Sequence, residues 1–74
     1  MAMKQENFDT VRYRVALKFE DGSKEIITVT AADHAVVMMV ARGWLMASAL
    51  GVSVRYYQIN EDGRCMGVGG EYVR

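Results

Sequence analysis

The sequence predicts an α+β fold, a four-stranded antiparallel sheet with one helix packed on one face in the order β-β-α-β-β, and three observations carry that expectation. Residues 11 to 19 alternate between large apolar side chains and cationic or small ones, with Ala16 among the latter. Residues 34 to 50 are apolar at helical spacing behind an acidic cap. The tripeptide Glu-Asp-Gly occurs twice, at 20 to 22 and at 61 to 63, each time between two strand-like runs. Period two marks a strand with one wet face, period 3.6 marks a helix, and an acidic-Gly turn between apolar runs marks a hairpin.

Residues 1 to 9 show no strand or helix periodicity, with Phe8 their one aromatic, and read as a flexible lead, so the domain is placed at 10 to 74. The first strand sets Val11, Tyr13, Val15, Leu17 and Phe19 on one face and Arg12, Arg14, Ala16 and Lys18 on the other. Lys24 to Thr30 forms the second strand. A three-residue loop with Gly22 in the left-handed region brings Val15 opposite Ile27 and Tyr13 opposite Val29, whereas a two-residue turn would pair odd positions with even ones. Asp33 can cap the helix that follows, and Gly51 is expected to end it, giving a helix from about His34 to Leu50. On a helical projection Val36, Val40, Gly43, Trp44 and Ala47 share one side, expected to face the sheet, with Gly43 allowing close approach. The other side holds His34, Met38, Ala41, Arg42, Leu45, Ser48 and Ala49, an outer face with little charge. Val52 to Asn60 makes the third strand, and the fourth starts near Arg64. There Gly67, Gly69 and Gly70 imply a bent or bulged edge.

Composition excludes several functions. The chain has 74 residues, and one this short buries only about 60% of its unfolded surface, so its core is thin. Cys65 is the lone cysteine, which rules out an internal disulfide, fits a reducing compartment, and reads as a small buried hydrophobe. One cysteine and the single His34 fall short of the ligand set of a zinc site, and no motif implies a cofactor. Nine Lys+Arg balance nine Asp+Glu, so local patches outweigh the global field. The apolar run from Ala35 to Leu50, about 16 residues with Arg42 inside, is too short to span a bilayer. Met1 to Glu6 lack the apolar core of a signal peptide, so a cytoplasmic location is expected.

No catalytic constellation is legible. Gly67-Val68-Gly69-Gly70 is not followed by a helix, as a phosphate-cradling loop would be. His34 has no nucleophile with evident reach and reads as a packing or surface residue, and the carboxylates cluster in turns and at the helix cap, where structure alone wants them. Two surfaces remain. Arg12, Arg14 and Lys18 on the first strand, with Arg55 and either Tyr56 or Tyr57 on the third, Tyr57 being the expected contact, can give one sheet face a basic, partly aromatic character suited to single-stranded nucleic acid. Glu25 and other acids would moderate that charge. Met38, Arg42 and Leu45 on the outer helix side can contact a protein partner, or a second copy in a homodimer.

At Val29-Thr30-Ala31-Ala32-Asp33-His34-Ala35, a strand ending in Thr-Ala-Ala before a capping acid and an alanine-rich helix, the chain resembles small phage-encoded proteins, among them the anti-CRISPR proteins that block type I effector complexes. The resemblance spans roughly Tyr13 to Tyr57 and consists of size, element order and this junction. It implies a non-enzymatic blocker in a bacterial host that sits on a guide-RNA-binding Cas surface and competes with target DNA. The balanced charge departs from an acidic DNA mimic and implies docking through patches. The leading expectation is therefore an inhibitor that binds a Cas effector complex. A single-stranded nucleic-acid binder and a self-associating phage structural component are the alternatives.

Overall fold

A computed structural model describes residues 10–74. Strands β1 (Val11–Phe19) and β2 (Lys24–Ala31) form a hairpin, helix α1 (His34–Ala47) crosses over, and β3 (Gly51–Ile59) and β4 (Cys65–Val73) form a second hairpin. The four strands make one antiparallel sheet in the order β2-β1-β3-β4, the expected β-β-α-β-β architecture. The lead at residues 1–9, including Phe8, lies outside the described residues.

Both hairpins close in the same way because their turns carry the same chemistry. Phe19 donates its amide to the Ser23 carbonyl at 2.9 Å and Gly22 donates to Phe19 at 2.9 Å; Asn60 and Arg64, and Gly63 and Asn60, repeat those bonds at 3.0 Å. Gly22 and Gly63 have φ of 89° and 83°, the left-handed conformation that closes a three-residue loop at little steric cost. The resulting register sets Val15 opposite Ile27 and Tyr13 opposite Val29, as the alternation requires. Side chains hold the turns further: the Asp21 carboxylate accepts from the Ser23 amide and hydroxyl, and the Asn60 side-chain oxygen accepts from the Asp62 and Arg64 amides.

The helix begins where the sequence places it, with Asp33 accepting from the Val36 amide at 3.2 Å. Its other end differs. It stops at Ala47, Ser48 donates its amide to the Trp44 and Leu45 carbonyls, and Gly51 is the first residue of β3. Gly51 is not in the left-handed region, and an added Cβ there would be a tight fit, 3.1 Å from both Leu17 Cδ1 and Ser48 Oγ. Arg74 completes this end. Its guanidinium donates to the Leu45 and Ser48 carbonyls, placing a cation and hydrogen bonds where the helix leaves carbonyls unsatisfied.

The face that the helix buries corrects the sequence expectation. Val37, Ala41 and Leu45 are buried against Tyr13, Val15, Leu17, Val54 and Tyr56 of the sheet, with Met38 and Trp44 partly buried at the margins. Leu45, assigned to the outer side, is 4% exposed, and Met38 is half-buried against the core, so neither stands free as a partner contact; Arg42 is exposed as expected. Val36, Met39, Val40, Gly43 and Met46 face outward instead. The reason is fit. Ala41 is small enough to bring the helix axis down onto β1 and β3, with Val37 and Leu45 one turn to either side filling the space around it.

Candidate functional site

The sheet face away from the helix is built by the register alone. Arg14 pairs with Tyr57 on β3, Ala16 with Arg55, and Lys18 with both Ser53 and Lys24. Side chains alternate strictly along each strand, so Arg12, Arg14, Lys18, Lys24, Arg55 and Tyr57 all project from the same open face. The structure therefore brings together five of the expected contact residues and adds Lys24, whose membership depends on a register that composition does not reveal. Glu25, expected to moderate this charge, pairs with Leu17 and belongs to the helix side. Glu71, opposite Arg55, is the acid within the face; Glu20, Asp21, Glu61 and Asp62 stand in the hairpin turns at its ends.

Strand β4 shapes this face into a groove. Gly69 pairs with Tyr57 and Gly70 with Tyr56, so no side chain rises beside the Tyr57 ring on that flank. Gly67, at φ 81°, lies in a bulge where Met66, Gly67 and Val68 oppose the single residue Gln58. The resulting open groove, about 720 Å³, is lined by Arg14, Arg55, Tyr57, Cys65, Val68 and Glu71, within the roughly 300–1,000 Å³ of clefts that hold small ligands. A shallower hollow of about 140 Å³ continues it across Ala16, Lys18, Lys24, Ser53, Arg55 and Glu71. A basic track thus crosses the sheet with one aromatic ring at its deeper end. The glycine run that reads only as a weakened edge in sequence is what clears this space.

Cys65 is exposed at the start of β4, not buried as expected: it stands in phase with Gly69 and Glu71 and lines the groove on the open face. His34 packs. Its Nδ1 and the Tyr13 hydroxyl share a hydrogen bond, and its ring lies 5.4 Å from that of Tyr13 and 5.9 Å from that of Tyr56, between centroids. Tyr72 stacks on Tyr56 at 5.8 Å, so four rings close one end of the core. No group of three or more His, Cys, Asp or Glu side chains that could hold a metal ion occurs among the described residues, and no helix there is long and apolar enough to cross a membrane.

This ring cluster has a pH signature. Burial pushes the Tyr13 phenol above its ordinary value of 10.0, and burial followed by the neighbouring Tyr72 does the same for Tyr56. Both stay neutral in the folded chain at pH values where unfolded tyrosine ionises. Their contribution is fully present below pH 10 and is lost as pH rises through the folded values, because the unfolded state gives up its protons first. Denaturant midpoints should be level from neutral pH to about pH 9 and fall steeply above pH 10, and Tyr56→Phe should flatten that alkaline fall. An alkaline slope unchanged in Tyr56→Phe would show that this phenol does not contribute.

Fold and surface together define a small α+β domain with its helix on one sheet face and a basic groove on the other. No protein-family model matches the chain, and no curated protein or solved structure matches it either.

Proposed function

We propose that this chain is a non-enzymatic binding protein whose open sheet face takes a single strand of nucleic acid. The observation that carries the reading is the grouping of Arg12, Arg14, Lys18, Lys24 and Arg55 around a track with Tyr57 at one end and Glu71 as the acid within it. Cations spaced along a shallow track suit a flexible phosphate backbone, and a ring beside glycines gives one base a surface to stack on. A duplex fits less well, because a grooved sheet face offers no projecting helix or ribbon to enter the groove of a duplex.

Charge reversal tests it. Arg14→Glu with Arg55→Glu should weaken binding to a labelled single-stranded oligonucleotide about tenfold or more, and the wild-type affinity should fall log-linearly with salt at about 0.7 per phosphate contacted. Glu71→Gln should bind more tightly. Fluorescence anisotropy at low salt reads all three, and a wild-type chain that leaves the oligonucleotide freely tumbling overturns the reading.

The second reading is the inhibitor that the resemblance to anti-CRISPR proteins implies, docking on a Cas effector complex in the bacterial cytoplasm and blocking its target DNA. The apolar side chains on the outer face of α1 favour it, since a protein surface is what such a face usually meets. A tagged pull-down from nuclease-treated lysate of a host carrying CRISPR-Cas systems separates the two. Stoichiometric capture of effector subunits supports the inhibitor, and an empty lane beside a positive oligonucleotide titration supports the nucleic-acid binder.

A further inference from the structure

The outer face of α1 presents a pattern that the protomer itself does not use. Val36, Met39, Gly43 and Met46 follow one another at steps of three, four and three residues, the spacing of a helix-pairing seam, with Val40 beside it and Leu50 exposed in the bend beyond the helix. Met39 is 73% exposed, Met46 70% and Leu50 61%, with Val36 and Val40 about two-fifths exposed. Those fractions amount to roughly 500 Å² of apolar side-chain surface, toward the upper end of the largest patch on a typical monomer.

Gly43 is the informative residue. A glycine inside a helix costs about 1 kcal/mol relative to alanine, and burial usually explains it. Here an added Cβ would meet nothing within 4 Å, so no packing inside the protomer requires the missing side chain. A second helix crossing at that point would require it.

We infer that α1 pairs with α1 of a second copy of this chain, antiparallel about a two-fold axis at Gly43. The seam is self-complementary about that point: Met39 of one copy meets Met46 of the other, and the two glycines let the backbones come close. Each copy would bury its own patch, on the order of 1,000 Å² in all, the size at which specific interfaces begin. Arg42, the charged residue next to Gly43, lies near the axis in both copies. The pair therefore brings like charges together, and added salt should strengthen it, the reverse of the effect on nucleic-acid binding. The inference does not depend on the proposed function, because the open sheet face lies on the far side of each protomer.

Sedimentation equilibrium of the full chain over a wide range of concentration and salt tests the pairing. The expected result is a reversible monomer–dimer equilibrium that tightens with salt. Met39→Asp with Met46→Asp should shift it toward monomer by about tenfold or more in Kd while the circular dichroism spectrum stays native, since each new carboxylate would be trapped in the interface. Gly43→Leu should weaken the dimer while raising the melting temperature of dilute monomer, a split that a glycine serving only the protomer would not produce. A wild-type chain that stays monomeric at every concentration overturns the inference and leaves the seam to residues 1–9 or a foreign protein. A dimer that survives both variants unchanged also overturns it, by placing the interface on another surface.

Discussion

Leu45→Asp is expected to abolish cooperative folding at room temperature, whereas Met39→Asp should leave a native spectrum and a melting temperature close to that of the parent chain. Both are apolar helix residues, yet Leu45 is 4% exposed, packed with Val37 and Ala41 over Leu17 and Val54, while Met39 projects from the outer face. A carboxylate forced to replace Leu45 loses its water, has no buried cation to pair with in that cluster, and leaves a void where the leucine stood. The combined cost is about 4 kcal/mol or more, comparable with the entire stability of a domain this small. Thermal melts followed by circular dichroism distinguish the two variants. A cooperative, parent-like melt for Leu45→Asp would mean that the helix lies on the sheet by its other face.

Gly69→Ala is expected to cost about 2 kcal/mol or more, although it adds a single methyl group. The added Cβ would collide with the Tyr56 carbonyl oxygen and approach Tyr57 Cα to 2.8 Å. Those are backbone atoms of the neighbouring strand, which cannot rotate aside as a side chain can, so β4 must move away from β3. Denaturant unfolding gives the stability change. Backbone chemical shifts of residues 66 to 72 should show whether the loss is local, and a change below about 0.5 kcal/mol, the ordinary size of a surface substitution, would contradict the close approach. Because Gly69 borders Tyr57, any movement of β4 also disturbs the groove, and oligonucleotide affinity should fall together with stability.

The sequence makes the strands legible because one physical rule dominates each of them. Val11 to Phe19 has a wet face and a dry face, so alternation decides orientation, and the two Glu-Asp-Gly turns decide register. Arg12, Arg14 and Lys18 could be placed on one face on that basis alone, whereas the choice of Tyr57 over Tyr56 beside Arg55 becomes definite only with the pairing of β1 and β3. The helix lacks such a rule. Arg42 is its one formal charge, Val36 and Val40 are as apolar as Val37 and Leu45, and periodicity cannot choose between two apolar sides. The choice is made by volume, with Ala41 under the helix axis, and that becomes visible only when the sheet is in place. Lys24, Glu71 and the space above Gly69 were hidden for a related reason: each gains its meaning from a partner on another strand. Cys65 was misplaced because a cysteine's usual preference for burial says nothing of its strand phase, which sets it on the open face with Gly69 and Glu71.

The strand order has a consequence for how the chain reaches this state. β1 lies between β2 and β3, so its second edge stays unpaired until residues 51–59 have returned across the helix. The first hairpin is local and can close within microseconds, but the pairing of β1 with β3 joins residues about 40 positions apart and must await closure of the intervening loop. During synthesis the emerging amino-terminal half therefore presents an open strand edge and an uncovered apolar surface bearing Tyr13, Val15 and Leu17. Arg12, Arg14 and Lys18 on the opposite surface of that strand keep it charged through this interval, a device by which exposed strands resist pairing with neighbours, and Arg14 and Lys18 go on to line the finished groove.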